Sequence, residues 1–230
     1  MTAPDHQSAP THRDTEQVRR VQESYGRWAR LYDWFARATA GLGGVRAGCL
    51  SALDIGPGDT IIEFGCGPGV NLPALRDRVG PSGEIVAVDI TRPMLERARA
   101  LVVRRGWQNV SFVQADATTP PVASADAVLA TFVTSLFPDP YAVVRGWSEI
   151  ADRVVLANFA PRGNWAANAA LWAFTQLSPP LFDMSARDSL DQLDRRTAAS
   201  RRALEDCMET VETTRYVFGT VSVNAGHREL

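Results

Sequence analysis

The sequence predicts an α/β protein built on a doubly wound, mostly parallel sheet with helices on both faces, and three observations support this prediction. Short apolar segments alternate with helical segments from Thr60 to Asn158, as they do in chains that form parallel sheets. The first apolar segment enters a glycine-rich turn followed by a helix start, which is half of a nucleotide-binding βαβ unit. After residue 210, two alternating segments around Gly219 predict antiparallel strands. The predicted fold is therefore Rossmann-like, with an antiparallel C-terminal strand.

Composition restricts the classes of protein that this chain can represent. Its 230 residues fit one domain with a modest extra element. A net charge of −2 gives no general attraction to nucleic acid. The sequence contains no run of 18 uninterrupted apolar residues, so no membrane span is predicted. The chain has three cysteines that are far apart in sequence, Cys49, Cys66 and Cys207. Their odd number predicts a reduced, cytoplasmic setting, and the absence of metal-ligand spacing predicts that there is no metal site.

The segment that precedes the sheet divides in two. Residues 1–14 have no hydrophobic period and predict a disordered tail, whereas residues 15–230 predict a single domain that begins with cap helices at 15–55. The first cap helix carries one apolar stripe with spacings of three and four residues: Val18, Val21, Tyr25, Trp28, Tyr32 and Phe35. This stripe either packs on the core or covers the ligand site, where Tyr25 or Tyr32 would line it. The second cap helix is predicted at 45–53.

The predicted strands and helices then alternate along the chain. Turn residues and β-branched runs place the strands at 61–64, 84–88, 110–114, 127–132 and 154–158, with helices at 70–79, 94–105 and 140–151 between them. Residues 160–208 interrupt this rhythm and predict a helical cover, which is aromatic-rich at 165–182 and arginine-rich at 188–208. The final strands are predicted at 211–217 and 220–224.

Four polar residues lie at or near the ends of the predicted strands. They are Glu63, Asp89, Asp116 and Thr131. Ligands of open parallel sheets bind at the carboxyl ends of the strands. We therefore expect these four side chains to converge on one cleft.

The carboxylate of Glu63 discriminates between nucleotide ligands. A dinucleotide would bring its pyrophosphate to this turn, where an acidic side chain repels it, and the third glycine of the dinucleotide pattern would fall at Val70. Residues 63–69 instead read Glu-Phe-Gly-Cys-Gly-Pro-Gly. This pattern resembles the first motif of the class I S-adenosylmethionine (SAM)-dependent methyltransferases, and the ammonium and sulfonium of SAM suit an acidic neighbour.

The resemblance extends over about residues 20–160 and implies roles for further residues. Asp89 follows Gly69 by 20 residues and is expected to bind the ribose hydroxyls, while Asp116 and the N–H of Ala117 are expected to bind adenine. The end of the fourth strand is where the family brings methyl donor and acceptor together. The full set implied for the cofactor is Tyr25, Glu63, Phe64, Gly65, Cys66, Gly67, Gly69, Asp89, Ile90, Met94, Asp116, Ala117, Thr131 and Phe132.

Within the family, residues 79–95 are similar to the ubiquinone/menaquinone-biosynthesis C-methyltransferases. Two features depart from common family patterns. Residues 149–153 replace the usual Pro-Gly-Gly-type turn before the fifth strand, and the fourth strand is not followed by the Asn-Pro-Pro-Tyr/Phe segment of amino-methylating nucleic-acid enzymes. The second departure, together with the lack of a basic, aromatic-interleaved patch, predicts that nucleic acid is not the substrate.

The predicted function is methyl transfer from SAM to a small, partly apolar acceptor, with S-adenosylhomocysteine (SAH) as product. A quinol or phenol is favoured, with Tyr32 and Trp172 as candidate acceptor contacts. No obligatory general base is predicted, although Tyr32, Asp33 and His227 are candidates. The alternatives are phospholipid N-methylation, which would involve transient contact with a membrane surface, a non-catalytic SAM-binding regulatory module and, more remotely, a NAD-dependent oxidoreductase.

Overall fold

The computed structural model describes residues 44–161 and 189–228, and within these ranges the chain forms one seven-stranded sheet. The strands are β1 (Thr60–Phe64), β2 (Glu84–Asp89), β3 (Val110–Gln114), β4 (Ala125–Thr131), β5 (Ala151–Phe159), β6 (Thr210–Tyr216) and β7 (Val221–His227). Their order across the sheet is β3-β2-β1-β4-β5-β7-β6. Strands β1 to β5 pair in parallel, and β7 runs antiparallel to both β5 and β6. This arrangement confirms the predicted fold class.

Helices cover both faces of the sheet in the described ranges. They are α1 (Val45–Leu53), α2 (Leu72–Val79), α3 (Arg92–Arg105), α4 (Pro140–Ile150) and α5 (Ser189–Cys207). Helices α1, α2 and α3 bury their apolar residues in one core, whereas α4 and the second half of α5 contribute to the other. None of these helices has the length and apolarity needed to cross a membrane.

The strands are apolar on both faces because both faces are buried. In β1, Ile61 faces the core of α1 to α3, while Ile62 and Phe64 face the opposite core. The ring of Phe64 stacks on Trp147 of α4 with a centroid distance of 4.5 Å. Trp147 is fully buried, and its indole N–H donates a hydrogen bond of 2.8 Å to the carbonyl of Ala117, so the core and the loop after β3 are connected.

Most strand boundaries differ from the sequence prediction by one to three residues, and two of these differences have a clear local cause. Strand β4 ends at Thr131, one residue before the predicted end, because Phe132 has a φ of 60° and leaves the extended conformation. Strand β5 begins at Ala151, three residues earlier than predicted, since Ala151 and Arg153 pair with Ala125 and Ala127 of β4. The polar residues at the start of β5 interrupt its apolar pattern and concealed this pairing.

Part of the predicted domain organisation lies outside the described residues. This holds for the tail at 1–14, the first cap helix and the aromatic segment at 165–182. The second cap helix corresponds to α1, and the arginine-rich helix of the cover corresponds to α5. Helix α1 lies against β5 and β7, and a side chain at Gly48 would collide with the phenol of Tyr216. This close approach fixes α1 over the C-terminal strands of the sheet.

Candidate functional site

The glycine turn after β1 assigns different tasks to its glycines. Gly65 and Gly67 have φ values of 66° and 53°, in the left-handed region that favours glycine. A Cβ at Gly65 would collide with Val133, and one at Gly69 would lie 2.8 Å from Leu72. A Cβ at Gly67 would meet no atom of residues 44–161 or 189–228 within 4 Å. Gly65 and Gly69 are therefore required for packing, whereas Gly67 faces open space in which a ligand can approach the backbone.

Asp89 connects the end of β2 to the glycine turn. Its Oδ2 accepts a hydrogen bond of 2.9 Å from the backbone N–H of Gly67, and its Oδ1 accepts bonds from the N–H and hydroxyl of Thr91. Burial raises the pKa of Asp89, and these hydrogen bonds oppose the increase. The carboxylate therefore lies at the carboxyl edge of the sheet, directly beside Gly67, as the sequence predicts.

Glu63 is a buried acid with one unpartnered oxygen. The side chain is 1% exposed, its Oε1 accepts a hydrogen bond of 2.8 Å from Asn71 Nδ2, and its Oε2 has no partner among the described residues. Burial raises the pKa of Glu63 to about 8; the negative charge of Asp89 adds to the increase, while the Asn71 hydrogen bond and Arg46 oppose it. A buried acceptor without a partner is costly, so this site gains from a ligand that brings positive charge or a donor.

We predict that the affinity for SAH rises with pH because of Glu63. Below a pKa of about 8 the carboxyl is protonated, and a ligand ammonium must displace that proton. The affinity should increase by close to tenfold per unit from about pH 6 to about pH 7, and should level off above about pH 8. The control is Glu63→Gln, in which calorimetric titration should show weaker binding with this pH dependence removed. A wild-type slope that persists in Glu63→Gln would contradict the prediction.

The same pKa shift affects stability in the absence of ligand. The unfolded chain binds fewer protons than the folded chain between about pH 4.5 and about pH 8, because Glu63 titrates near 4.5 when exposed and near 8 when buried. The free energy of unfolding therefore falls as pH rises through this window.

The carboxyl end of β4 brings a hydroxyl and an aromatic ring to the same region. The hydroxyl of Thr131 accepts a hydrogen bond of 3.3 Å from Asn71 Nδ2. The N–H of Phe132 donates to the carbonyl of Ala157, and its ring stacks on Phe159 with a centroid distance of 4.5 Å. Phe132 is thus held in its left-handed conformation at its backbone, by the hydrogen bond to Ala157, and at its side chain, by ring stacking.

A cleft that is open to solvent joins the glycine turn to the end of β4. Three elements line it, and they contribute Val45, Arg46 and Cys49 from α1, residues 65–68, 70 and 71 from the turn, and Thr131 and Phe132 from β4. The lining residues that the sequence prediction lacked are Val45, Arg46, Cys49, Pro68, Val70 and Asn71. Arg46 and Asn71 are the ones among them with a charged or amide side chain. Asn71 precedes the helix that follows the turn, and this position was the available signal for it; Arg46 reaches the cleft only through the docking of α1.

Of the four strand-end residues that were expected to converge, Thr131 lines this cleft, whereas Glu63, Asp89 and Asp116 are not among its lining residues. Phe64 and Met94 are 0% and 1% exposed, so they can contribute only backbone or support unless the site rearranges. The carboxylate of Asp116 accepts a hydrogen bond of 2.9 Å from the N–H of Thr118, which closes the turn after β3. The carbonyl of Ile90 accepts from Gln114. Their roles in binding, together with that of Ala117, remain predictions.

Other predicted site residues are far from the cleft or outside the described ranges. His227 pairs with Arg153 at the amino end of β5, whereas Val221 pairs with Phe159 at the carboxyl end. The candidate base His227 therefore lies at the opposite edge of the sheet, because the antiparallel direction of β7 carries it away from the cleft. Tyr25, Tyr32, Asp33 and Trp172 lie outside the described residues.

Comparisons with known proteins show which family this chain resembles. A family profile described as "Methyltransferase domain" matches residues 61–153. The chain is 32% identical over 149 residues to a phosphatidylethanolamine N-methyltransferase from Cereibacter sphaeroides, covering 62% of this chain and 69% of that protein. It is 36% identical over 103 residues to a nocamycin O-methyltransferase from Saccharothrix syringae, covering 44% and 37%.

A solved structure supports the fold over most of the chain. It is the putative methyltransferase in complex with its activator Trm112 from Haloferax volcanii, with a TM-score of 0.67, 18% identity, and coverage of 91% of this chain and 98% of that chain. The matched segments span less than half the length of the first curated relatives. The likeness to the solved structure concerns the fold alone.

The sheet order, the glycine turn and the acids at the strand ends define a cofactor-binding α/β domain of the methyltransferase class. The chain belongs to the class I SAM-dependent methyltransferases, whose cofactor is SAM. The site fits this cofactor, because Glu63 Oε2 lacks a partner and the space above Gly67 is open. The finer resemblance to the quinone-biosynthesis C-methyltransferases remains a prediction.

Proposed function

We propose that this chain transfers a methyl group from SAM to a small, partly apolar acceptor, with a quinol or phenol as the favoured acceptor. The observation that carries the proposal is the cleft itself, in which the open face of Gly67 meets the end of β4. SAM supplies a methyl group that is already activated by its sulfonium. The protein then has to bind the cofactor and the acceptor, orient them for transfer and exclude water.

Residues of the cleft and its margins divide these tasks. Asp89 would hold the ribose hydroxyls, while its hydrogen bond from the N–H of Gly67 holds the glycine turn against the end of β2. Glu63 would face the ammonium of the cofactor, and its protonated state in the empty site keeps a buried charge from standing unpaired. Asp116 and the N–H of Ala117 would bind adenine at the edge formed by β3.

The end of β4 supports an apolar acceptor. Phe132 lines the cleft and is held against Phe159, which provides a rigid aromatic wall for a flat ligand. The sequence neighbours of Phe132, Thr131 and Val133, have no side-chain carboxylate or amide that could bind an amine. With His227 at the far edge of the sheet, the described residues of the cleft offer no histidine that could act as a base.

Phospholipid N-methylation is the second candidate. The relative named phosphatidylethanolamine N-methyltransferase is 32% identical to this chain over 149 residues, and that match extends beyond the cofactor motifs. Under this reading the aromatic segments predicted at 165–182 would contact a lipid surface. A relative named as an O-methyltransferase instead supports an oxygen nucleophile, in line with the phenol.

A direct competition between acceptors tests the proposal. The purified protein is given methyl-labelled SAM with a demethylated quinol, a simple phenol, or phosphatidylethanolamine in vesicles, and the labelled products are identified by mass spectrometry. Asp89→Ala serves as the control in which cofactor binding is weakened. Label on the quinol or phenol is expected. Label on the phospholipid alone would overturn the aromatic acceptor, and SAM binding without transfer to an extended metabolite panel would favour the regulatory module.

A further inference from the structure

Arg46 is a half-buried cation that forms no ion pair with the described residues. It lines the cleft from the first turn of α1, and its described hydrogen bond is a single 3.3 Å contact from Nε to Oδ1 of Asn71. Burial lowers the pKa of Arg46, and the opposite charge of Glu63 only partly offsets this effect. A guanidinium has five N–H donors in a planar fork, so the described part of the chain leaves most of the donors of Arg46 unused.

Asn71 separates this cation from the nearest buried acid. Its amide accepts from Arg46 Nε through Oδ1 and donates to Glu63 Oε1 through Nδ2 at 2.8 Å. The guanidinium and the carboxyl are thus held at the two ends of one side-chain amide instead of neutralising each other in a salt bridge. Glu63 Oε2, at the acidic end, is buried without a partner. Both ends therefore keep binding capacity for a ligand.

This pattern is complementary to a zwitterion that carries a carboxylate and an ammonium a short distance apart. A guanidinium binds a carboxylate through two parallel hydrogen bonds, and an unpartnered carboxyl oxygen binds an ammonium. The α-amino-acid end of SAM has both groups on one carbon. The same row of residues lies beside the glycine turn, where the proposed function places the cofactor.

We propose that Arg46, Asn71 and Glu63 form a clamp for the amino-acid end of the cofactor, in which Arg46 selects for the carboxylate. Asn71 fixes the separation between the charged groups, and Glu63 holds the ammonium. The inference rests on the proposed function for the identity of the ligand, and it adds that cofactor specificity depends on a residue of the cap helix as well as on the glycine turn.

Three ligands separate the parts of the clamp. SAH carries both groups, decarboxylated SAM lacks the carboxylate, and 5′-methylthioadenosine lacks both. In Arg46→Met, calorimetric titration should show a loss of SAH affinity of about 10- to 30-fold, the size expected for a charge-assisted hydrogen-bonded contact. The affinities for decarboxylated SAM and 5′-methylthioadenosine should stay within about twofold of wild type.

Two further variants keep this test decisive. Arg145→Met removes an arginine that is 60% exposed on α4, and it should leave all three affinities unchanged. Arg46→Lys retains the charge without the fork and should recover part of the SAH affinity, which also covers the case in which Arg46→Met fails to fold.

The outcomes distinguish the clamp from the proposed function. An equal loss of affinity for all three ligands would make Arg46 a general support of the cleft and overturn the clamp, as would an unchanged affinity for SAH. A wild-type protein that binds none of the three ligands would overturn the cofactor assignment itself, and the clamp with it.

Discussion

Gly67→Val is expected to lower the affinity for SAH by at least about 100-fold while the protein stays largely folded. A Cβ at this position meets no protein atom within 4 Å, so the added side chain fills the space that the cofactor requires. The φ of 53° is also unfavourable for a β-branched residue, and the turn will shift to relieve that strain. Calorimetric titration with SAH, together with circular dichroism, measures both effects.

Gly106→Val is the matched control for this variant. Gly106 has a φ of 68° and open space around its Cβ, but it caps the far end of α3. A valine at position 106 therefore imposes a similar backbone strain at a distance from the cleft. We expect Gly106→Val to lower the stability of the protein with no effect on SAH affinity. If Gly67→Val bound SAH as wild type does, the cofactor would have to lie elsewhere.

Asp89→Ala is expected to weaken SAH binding by about 1.5–3 kcal/mol, or about 10- to 150-fold. The substitution removes the acceptor for the ribose hydroxyls. It also releases the N–H of Gly67, which Asp89 holds at 2.9 Å, so the glycine turn loses its connection to β2. Asp89→Asn retains an acceptor oxygen and separates the contributions, because it preserves the turn contact but loses the charge.

Asp126→Ala provides the control for the loss of a carboxylate that binds a backbone N–H. Asp126 accepts a hydrogen bond of 2.7 Å from the N–H of Thr60, at the amino edge of the sheet. This variant should lose stability comparable to that lost by Asp89→Ala, and its SAH affinity should remain that of wild type. Normal SAH affinity in a folded Asp89→Ala protein would remove Asp89 from the site.

The sequence was sufficient for the fold because its local signals agree with one another. Glycine and proline mark most of the element ends, as at Gly80, Pro93 and Gly106, and apolar runs of β-branched residues mark strands that are buried on both faces. Glu63 and Asp89 could be assigned to the site for the same reason, since each adjoins the end of a strand and the ends of parallel strands share one edge.

The remaining parts of the site depend on tertiary contacts that local patterns do not encode. Arg46 reaches the cleft because α1 docks on β5 and β7, and this docking requires the close approach of Gly48 to Tyr216. The different tasks of Gly65 and Gly67 depend on the position of Val133, which is distant in sequence. The placement of His227 depends on the register of β7 against β5, and an alternating pattern gives no register.

The docking of α1 on β7 has a consequence for the order of folding. Residues 45–53 form a short helix, and isolated helices of this length are unstable in water. Their partner strand lies about 170 residues later in the chain, and contacts of such long range form late. We expect α1 to gain amide protection in pulse-labelling hydrogen exchange only after β5 and β7 have paired, and earlier protection would contradict this. The cleft would then be the last part of the molecule to mature, so a nascent chain would acquire its sheet before its ability to bind ligand.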